Sequence, residues 1–351
     1  MEHLTRIGIV LPYFGKLPNY FPLFLNSCRF NPTIDWLVYT DSDQKMDWPE
    51  NVKVTKTTFD AFRSRIQQHF DFPICLDTPY KLCDFKATYG DTLQEDLTGY
   101  DFWGHCDCDL IFGDLRHFLT EDIFRAHLRI LCCGHLSLYK NVPEVNAYFR
   151  TQPYIDYKHV LQSPGAFSFD EWPGLSECWL RDGLPYYGKL VYDDLTVGVE
   201  DFRPVNITPG GFIGPYHNEP DESKRFRRMK NILYRWDLGT LERCWIEKGQ
   251  LFREETAYVH MQKRKMAYDP ESVSRDAFLI VPGRFLPDRE LNPTVVQELS
   301  PVSRSKATRI RLLKDGIKVA LAEVKNIGRT GYCSRSAIVN HIKTQWCKAY
   351  K

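Results

Sequence analysis

The sequence predicts an α/β protein, with a mostly parallel central sheet and flanking helices, and three observations carry that prediction. Short β-branched runs alternate with helical segments through the first hundred residues. The first run, Arg6–Leu11 (RIGIVL), is apolar almost throughout, as a fully buried strand is. Several runs also end in polar or acidic loops, and ligands of open α/β sheets bind outside the carboxyl ends of the strands.

The elements follow in order. The first strand stops at Pro12, and an aromatic and polar loop, Tyr13–Tyr20, leads into a helix over Phe21–Cys28. Asp35–Thr40 (DWLVYT) is a second strand that closes on Asp41-Ser42-Asp43. Val52–Thr58 is a third, followed by an amphipathic helix over Phe59–Phe70. Pro79-Tyr80-Lys81-Leu82-Cys83-Asp84-Phe85-Lys86 comes next, and a helix is expected up to Leu97. The aromatic strand Tyr100-Asp101-Phe102-Trp103-Gly104-His105-Cys106 then runs into Asp107-Cys108-Asp109. Leu128–Cys133 (LRILCC) is another strand, which opens into Gly134-His135-Leu136. Residues 150–225 are rich in Pro, Gly, Tyr and Trp and read as loops and short strands shaping a cleft. Short strands are expected over Arg243–His260.

A chain of 351 residues with 43% hydrophobic and 26% charged content can bury a large core and is ordinary for a globular protein. The formal charge of +1 hides an asymmetry: residues 303–351 carry twelve Lys/Arg against Asp315 and Glu323. An anionic membrane surface, rather than nucleic acid, is the partner such a basic end suits. Ile310, Leu312, Leu313, Ile317, Leu321 and Val324 recur near helical spacing there, so the tail is expected to form amphipathic helices on an inner leaflet. Eleven scattered cysteines, and an opening apolar run too short for a signal sequence, make a cytosolic protein with reduced thiols the expectation. No run reaches the ~18 apolar residues of a spanning helix. Neither Gly-x-Gly-x-x-Gly nor a Walker loop follows the first strand, which removes the dinucleotide and P-loop classes.

Four groups carry candidate chemistry. Asp107 and Asp109 sit at i and i+2 directly after a strand, where a tight loop turns both carboxylates toward one cation. Oxygen donors of this kind suit Mn²⁺ or Mg²⁺, with open positions left for diphosphate. Pro12, Tyr13 and Asp41 lie at neighbouring strand ends, where Asp41 can accept hydrogen bonds from a base or ribose. Lys81, Asp84 and Lys86 lie within six residues of one another and can bracket a sugar or phosphate. His260 follows a strand-like run as a third metal-ligand candidate, and Lys263, Arg264 or Lys265 can offset diphosphate charge. Zinc is not expected from His105 and Cys106, Cys108, Cys132 and Cys133: no C-x-x-C pair exists, and strand alternation turns Cys106 and Cys108 away from His105, Asp107 and Asp109.

With these residues in place the chain resembles the GT-A glycosyltransferases, in the layout of the glycogenin and lipopolysaccharide-galactosyltransferase group. The order is Lys81/Lys86, Asp107-Cys108-Asp109, Cys133–Asn141, Phe169-Asp170-Glu171, then His260 with Lys263. It is similar, too, to polysaccharide-biosynthesis proteins carrying YKLCDFK…YDFWGHCDCDLIFGDL and a late H-x-Q-K-R. The resemblance spans roughly residues 5–266 and implies a Rossmann-like GT-A catalytic domain over 1–300, ahead of a basic helical tail over 301–351. It implies a metal held by Asp107, Asp109 and His260, and a diphosphate contact from Lys263. It further implies transfer from a UDP-sugar to a glycan or lipid-linked acceptor in surface-polysaccharide biosynthesis. Asp170, Glu171 and Glu200 are the candidates for an acceptor-side carboxylate, with Asp193, Asp194 and Asp201 nearby in sequence. A metal-dependent nucleotidyltransferase or phosphohydrolase, and a non-catalytic sugar-binding protein, are the rival classes.

Overall fold

The computed structural model describes residues 4–171, 174–196, 199–204, 229–306, 308 and 310, and of Cys132 only the backbone. The chain parts into two compact units, Met1–Lys189 and Leu190–Lys351. Apart from residues 301–306, 308 and 310, the expected basic tail lies outside the described residues.

The first unit is a mixed α/β layer. Its strands are β1 (Ile7–Pro12), β2 (Ile34–Thr40), β3 (Val52–Lys56), β4 (Phe102–Cys106), β5 (Leu110–Phe112), β6 (Arg129–Cys133), β7 (Leu136–Lys140) and β8 (Tyr186–Tyr187). The main sheet has the order β3-β2-β1-β4-β7-β6-β8. β3, β2, β1 and β4 run parallel, and β7 is antiparallel to both its neighbours. Such a sheet is covered on both faces, which explains why β1 and β2 read as nearly unbroken apolar runs.

Two helices show how local sequence sets the elements. Helix α1 (Phe21–Arg29) begins with Pro22, whose missing N–H costs nothing in a first turn, and buries Phe21 and Leu23–Cys28. Its exit is held by Asn51, whose amide donates to the carbonyls of Cys28, Asn31 and Ile34. Helix α2 (Phe59–Gln67) is capped by the Thr58 hydroxyl, which accepts the Ala61 N–H at 3.1 Å. The core beneath holds Phe62, Phe85, Tyr89, Trp103 and Tyr139, with the Trp103 and Tyr139 rings stacked at 4.5 Å across β4 and β7. Gly90 is required there: a Cβ would lie 2.4 Å from the Trp103 ring.

Two expectations are corrected. The helix expected up to Leu97 is reduced to a single α-turn, Tyr89–Thr92, preceded by 3₁₀ turns over Pro79–Asp84 and Lys86–Thr88. Buried Lys81 and Asp84 draw this stretch into partners elsewhere in the unit, and that tertiary pull overrides propensity. The described part of 150–225 contains the helices Tyr157–Gln162 and Leu175–Arg181 besides its loops and short strands.

The second unit holds β9 (Asp193–Asp194), β10 (Lys230–Asp237), β11 (Thr240–Glu247), β12 (Gln250–Glu255), β13 (Tyr258–His260), β14 (Ala277–Val281) and β15 (Arg284–Pro287). Five of these form an antiparallel sheet in the order β12-β11-β10-β14-β15, which the sequence reading anticipated only over Arg243–His260. The β10–β11 and β11–β12 hairpins turn at Leu238-Gly239 and Lys248-Gly249, all four residues having positive φ, as twisted two-residue turns demand. Helix Pro293–Leu299 covers one face through Val296 and Leu299, with Asn292 accepting the Val295 N–H at 3.0 Å.

Candidate active site

Because β1, β2 and β4 are parallel, their carboxyl ends share one rim, where Tyr13, Asp41 and Asp107 follow the last strand residues. Tyr13 prolongs the β1 ladder, its N–H donating to the Tyr39 carbonyl at 2.8 Å, and Pro12 sits half-buried just before it. Asp41 accepts the N–H of Gly15, whose φ is 98°, at 2.7 Å and so fixes the shape of the β1 loop. The phenols of Tyr13 and Tyr20 are pushed up by burial, with further contributions from Asp109 and Cys108.

Lys86 is the hub of the loop at Asp107. Its Nζ donates to Asp107 Oδ1 at 2.6 Å and to the Gly134 carbonyl at 2.7 Å, with 13% of the side chain exposed. Burial alone would depress the ammonium; the carboxylates of Asp107 and Asp170 outweigh it and hold Lys86 raised. The Asp107 N–H donates to the His135 carbonyl at 3.0 Å, so the β6–β7 turn supplies two of these carbonyls. The turn is built around a register shift between Ile130 and Cys133, with Leu131 at a φ of 59°. Strain of this kind on a non-glycine residue collects at functional sites.

The Phe169-Asp170-Glu171 segment reaches the same turn. A Cβ on Gly134 would lie 2.2 Å from Glu171 Oε1, so any larger residue there would make that carboxylate move. Asp170 is buried and its carboxyl is pushed up to about 7, first by burial and then by Glu171 and Asp107, against the lowering effect of Lys86. His105 Nε2 lies 3.7 Å from Asp170 Oδ2, too far for a hydrogen bond. Burial holds His105 well below its usual range, and Lys86 and Arg129 act in the same direction, so the imidazole is neutral. Arg129 donates to the Asp170 carbonyl at 3.0 Å and to Ser176 Oγ at 2.9 Å, closing the back of the site. His105, Arg129 and Tyr20 were not singled out as site residues, because neither burial nor cross-strand proximity can be read from spacing.

Lys81 and Asp84, expected to touch ligand, are engaged with the protein itself. Lys81 Nζ donates to Asp84 Oδ2 at 2.7 Å, to Val160 O at 3.0 Å and to Gly165 O at 2.5 Å. Asp84 also accepts the N–H groups of Phe167 and Phe169. This buried clamp holds the loop that leads to Asp170 and Glu171. Burial pushes the thiols of Cys106 and Cys108 up. The described cysteines form no disulfide.

In the second unit β9 and β13 pair in parallel, with His260 beside Asp194. His260 Nδ1 lies 2.8 Å from Asp194 Oδ1, which also accepts Gln262 Nε2 at 2.6 Å. A carboxylate on Nδ1 selects the tautomer whose lone pair is on Nε2, the arrangement of metal-binding histidines. The preceding residue, Asp193, points the other way along the strand and pairs with buried Arg243. Gln262 and Lys263 both have positive φ (52° and 57°), and Lys263 and Lys265 are exposed. Arg264 donates to the carbonyls of Val199 and Thr196, so its guanidinium is structural. Glu200 is exposed and accepts the Ser303 hydroxyl at 2.7 Å.

In the first unit Asp107 and Asp109 are oxygen donors of the kind a divalent cation takes. In the second, separately, the His260 imidazole is oriented by the Asp194 carboxylate, as in metal-binding histidines. No curated protein matches the chain. A family model described as a family of unknown function, DUF6625, matches residues 9–289, a span that takes in every residue of the candidate site. With that match covering most of its length, the chain belongs to the DUF6625 family of unknown function.

Proposed function

We propose that this protein is a metal-dependent glycosyltransferase of GT-A type that moves a sugar from a UDP-sugar to a glycan or lipid-linked saccharide acceptor. The observation that carries the reading is Lys86: its ammonium ties Asp107, the first acid of the strand-end pair, to the turn that receives Glu171. Metal-side and acceptor-side carboxylates thereby share one buried support.

Tyr13, Tyr20 and Asp41 serve the nucleoside, while Asp107 and Asp109 hold Mn²⁺ or Mg²⁺ together with His260, whose role the sequence resemblance supplies. The ion, when bound, offsets charge on the departing UDP. Lys263 is the matching cation on the protein side, because Arg264 is committed to backbone carbonyls. Among the acidic candidates Glu171 is preferred for the acceptor hydroxyl. Asp170 is buried with its carboxyl raised, and Glu200 is hydrogen-bonded to Ser303.

Incubation with Mn²⁺ and a panel of UDP-sugars tests the reading through release of UDP, which should be lost with EDTA and restored by Mn²⁺. A protein that binds no nucleotide with or without metal is not a glycosyltransferase of this kind. Lys86→Met should lower UDP release by about 10²-fold, the scale of losing one positioned charged group in such a site.

A further inference from the structure

The loop Ser163–Phe169 is more heavily built than a connection needs to be. Its Phe167 side chain is 43% exposed, yet the backbone on either side is fixed from beneath. Asp84, fully buried, accepts the Phe167 N–H on both its oxygens at 3.0 Å and the Phe169 N–H at 3.1 Å. For both amides to face one carboxylate, the residue between them must turn sharply, and Ser168 adopts a φ of 52°. A non-glycine residue in that region costs about 1 kcal/mol or more. Lys81 holds the Gly165 carbonyl from the same buried pair.

The result is a sorting of side chains. Phe169 is buried in the core, and Phe167 is turned out into solvent. Single exposed apolar residues are common and need no explanation. This one stands on a buried ion pair and a strained residue, both of which work against stability unless the ring is wanted where it is. The Lys81 ammonium lies 5.1 Å from the ring centroid, and the His159 ring meets it edge-on at 5.7 Å. His159 and Ser168 are themselves exposed and give the ring a hydrogen-bonding rim. An aromatic ring held rigidly, with polar groups at its edge, matches a pyranose: the C–H face stacks on the ring and the hydroxyls meet the rim. Asp170 and Glu171 follow three and four residues later on the same supported segment.

We infer that Phe167 is a stacking platform for a neutral hexopyranose of the acceptor, held in place by the Lys81–Asp84 clamp. This rests on the glycosyltransferase reading for the word acceptor only; the carbohydrate platform itself is a binding claim that stands apart from transfer.

Saturation-transfer NMR on the full chain, with UDP and Mn²⁺ present, tests it against lactose, cellobiose, maltose and N,N′-diacetylchitobiose. At least one disaccharide should bind wild-type protein, Phe167→Ala should weaken it about tenfold, and Phe167→Trp should keep it, as expected for one stacking contact. Phe252→Ala, removing an exposed ring of the second unit, should leave it unchanged. UDP affinity measured by equilibrium dialysis should be the same in all four proteins. Equal disaccharide affinity in wild type and Phe167→Ala overturns the platform, and so does binding of none of the four sugars. If UDP fails to bind while the Phe167 effect persists, the donor reading falls and the platform stands.

Discussion

Asp170 and the Lys81–Asp84 pair show how differently buried charge can be handled within one unit. The clamp gives each ionised group several partners, so its two charges persist away from water. Removing one partner leaves the other charged and uncompensated. Asp84→Ala should therefore lower unfolding stability by about 3–5 kcal/mol in urea titration, whereas the double change Lys81→Met/Asp84→Leu should recover much of the loss. Asp170 takes the other course. Its carboxyl is raised by burial, so the folded state keeps a proton that the unfolded chain has lost above roughly pH 4. The folded form binds more protons, and stability from this group falls as pH rises from about 4 through about 7. In chelated protein, Asp170→Asn should therefore gain stability relative to wild type between pH 5 and pH 8. A constant difference across that range would mean that Asp170 is ionised throughout.

At the scale of elements, the strand pair β9–β13 works by alternation. Two consecutive acids leave one short strand in opposite directions, Asp193 to Arg243 and Asp194 to His260. Only Asp194 acts on the candidate ligand, by fixing the imidazole tautomer. Asp194→Ala should weaken Mn²⁺ binding about 10–100-fold, measured by the loss of the free-ion EPR signal, while the far-ultraviolet spectrum is kept. Asp193→Asn should instead lower stability, since it uncouples buried Arg243, and leave Mn²⁺ affinity near wild type. The β6–β7 turn is the corresponding element of the first unit. Its glycine lets Glu171 approach closely, so Gly134→Ala should displace that carboxylate and lower UDP release in protein that still folds.

At the scale of the molecule, no helix among the described residues is long and apolar enough to cross a membrane. The twelve basic residues of 303–351 are the reason for proposing contact with an anionic lipid surface. Deletion of 303–351 should abolish sedimentation with vesicles containing 30% (about one anionic lipid in three) phosphatidylserine and leave UDP binding intact. Sedimentation unchanged by the deletion would reject the membrane role.

The sequence by itself determined the α/β class, the first three strands to within two residues, and the acids that follow the second strand and the aromatic strand. Those features are local: a doubly covered strand must be apolar along its whole length, and a carboxylate after a strand needs no distant partner to be noticed. The antiparallel sheet of the second unit was half hidden, because its turns use Leu238 and Lys248 at positive φ beside glycines, not an Asn-Gly signal. Only the tertiary structure decided which charges face one another. Lys81, Asp84 and Lys86 look equivalent on the page, yet two of them clamp a loop and the third meets Asp107. That choice depends on partners 21 to 85 residues away, and spacing along a chain carries no record of what the fold brings alongside.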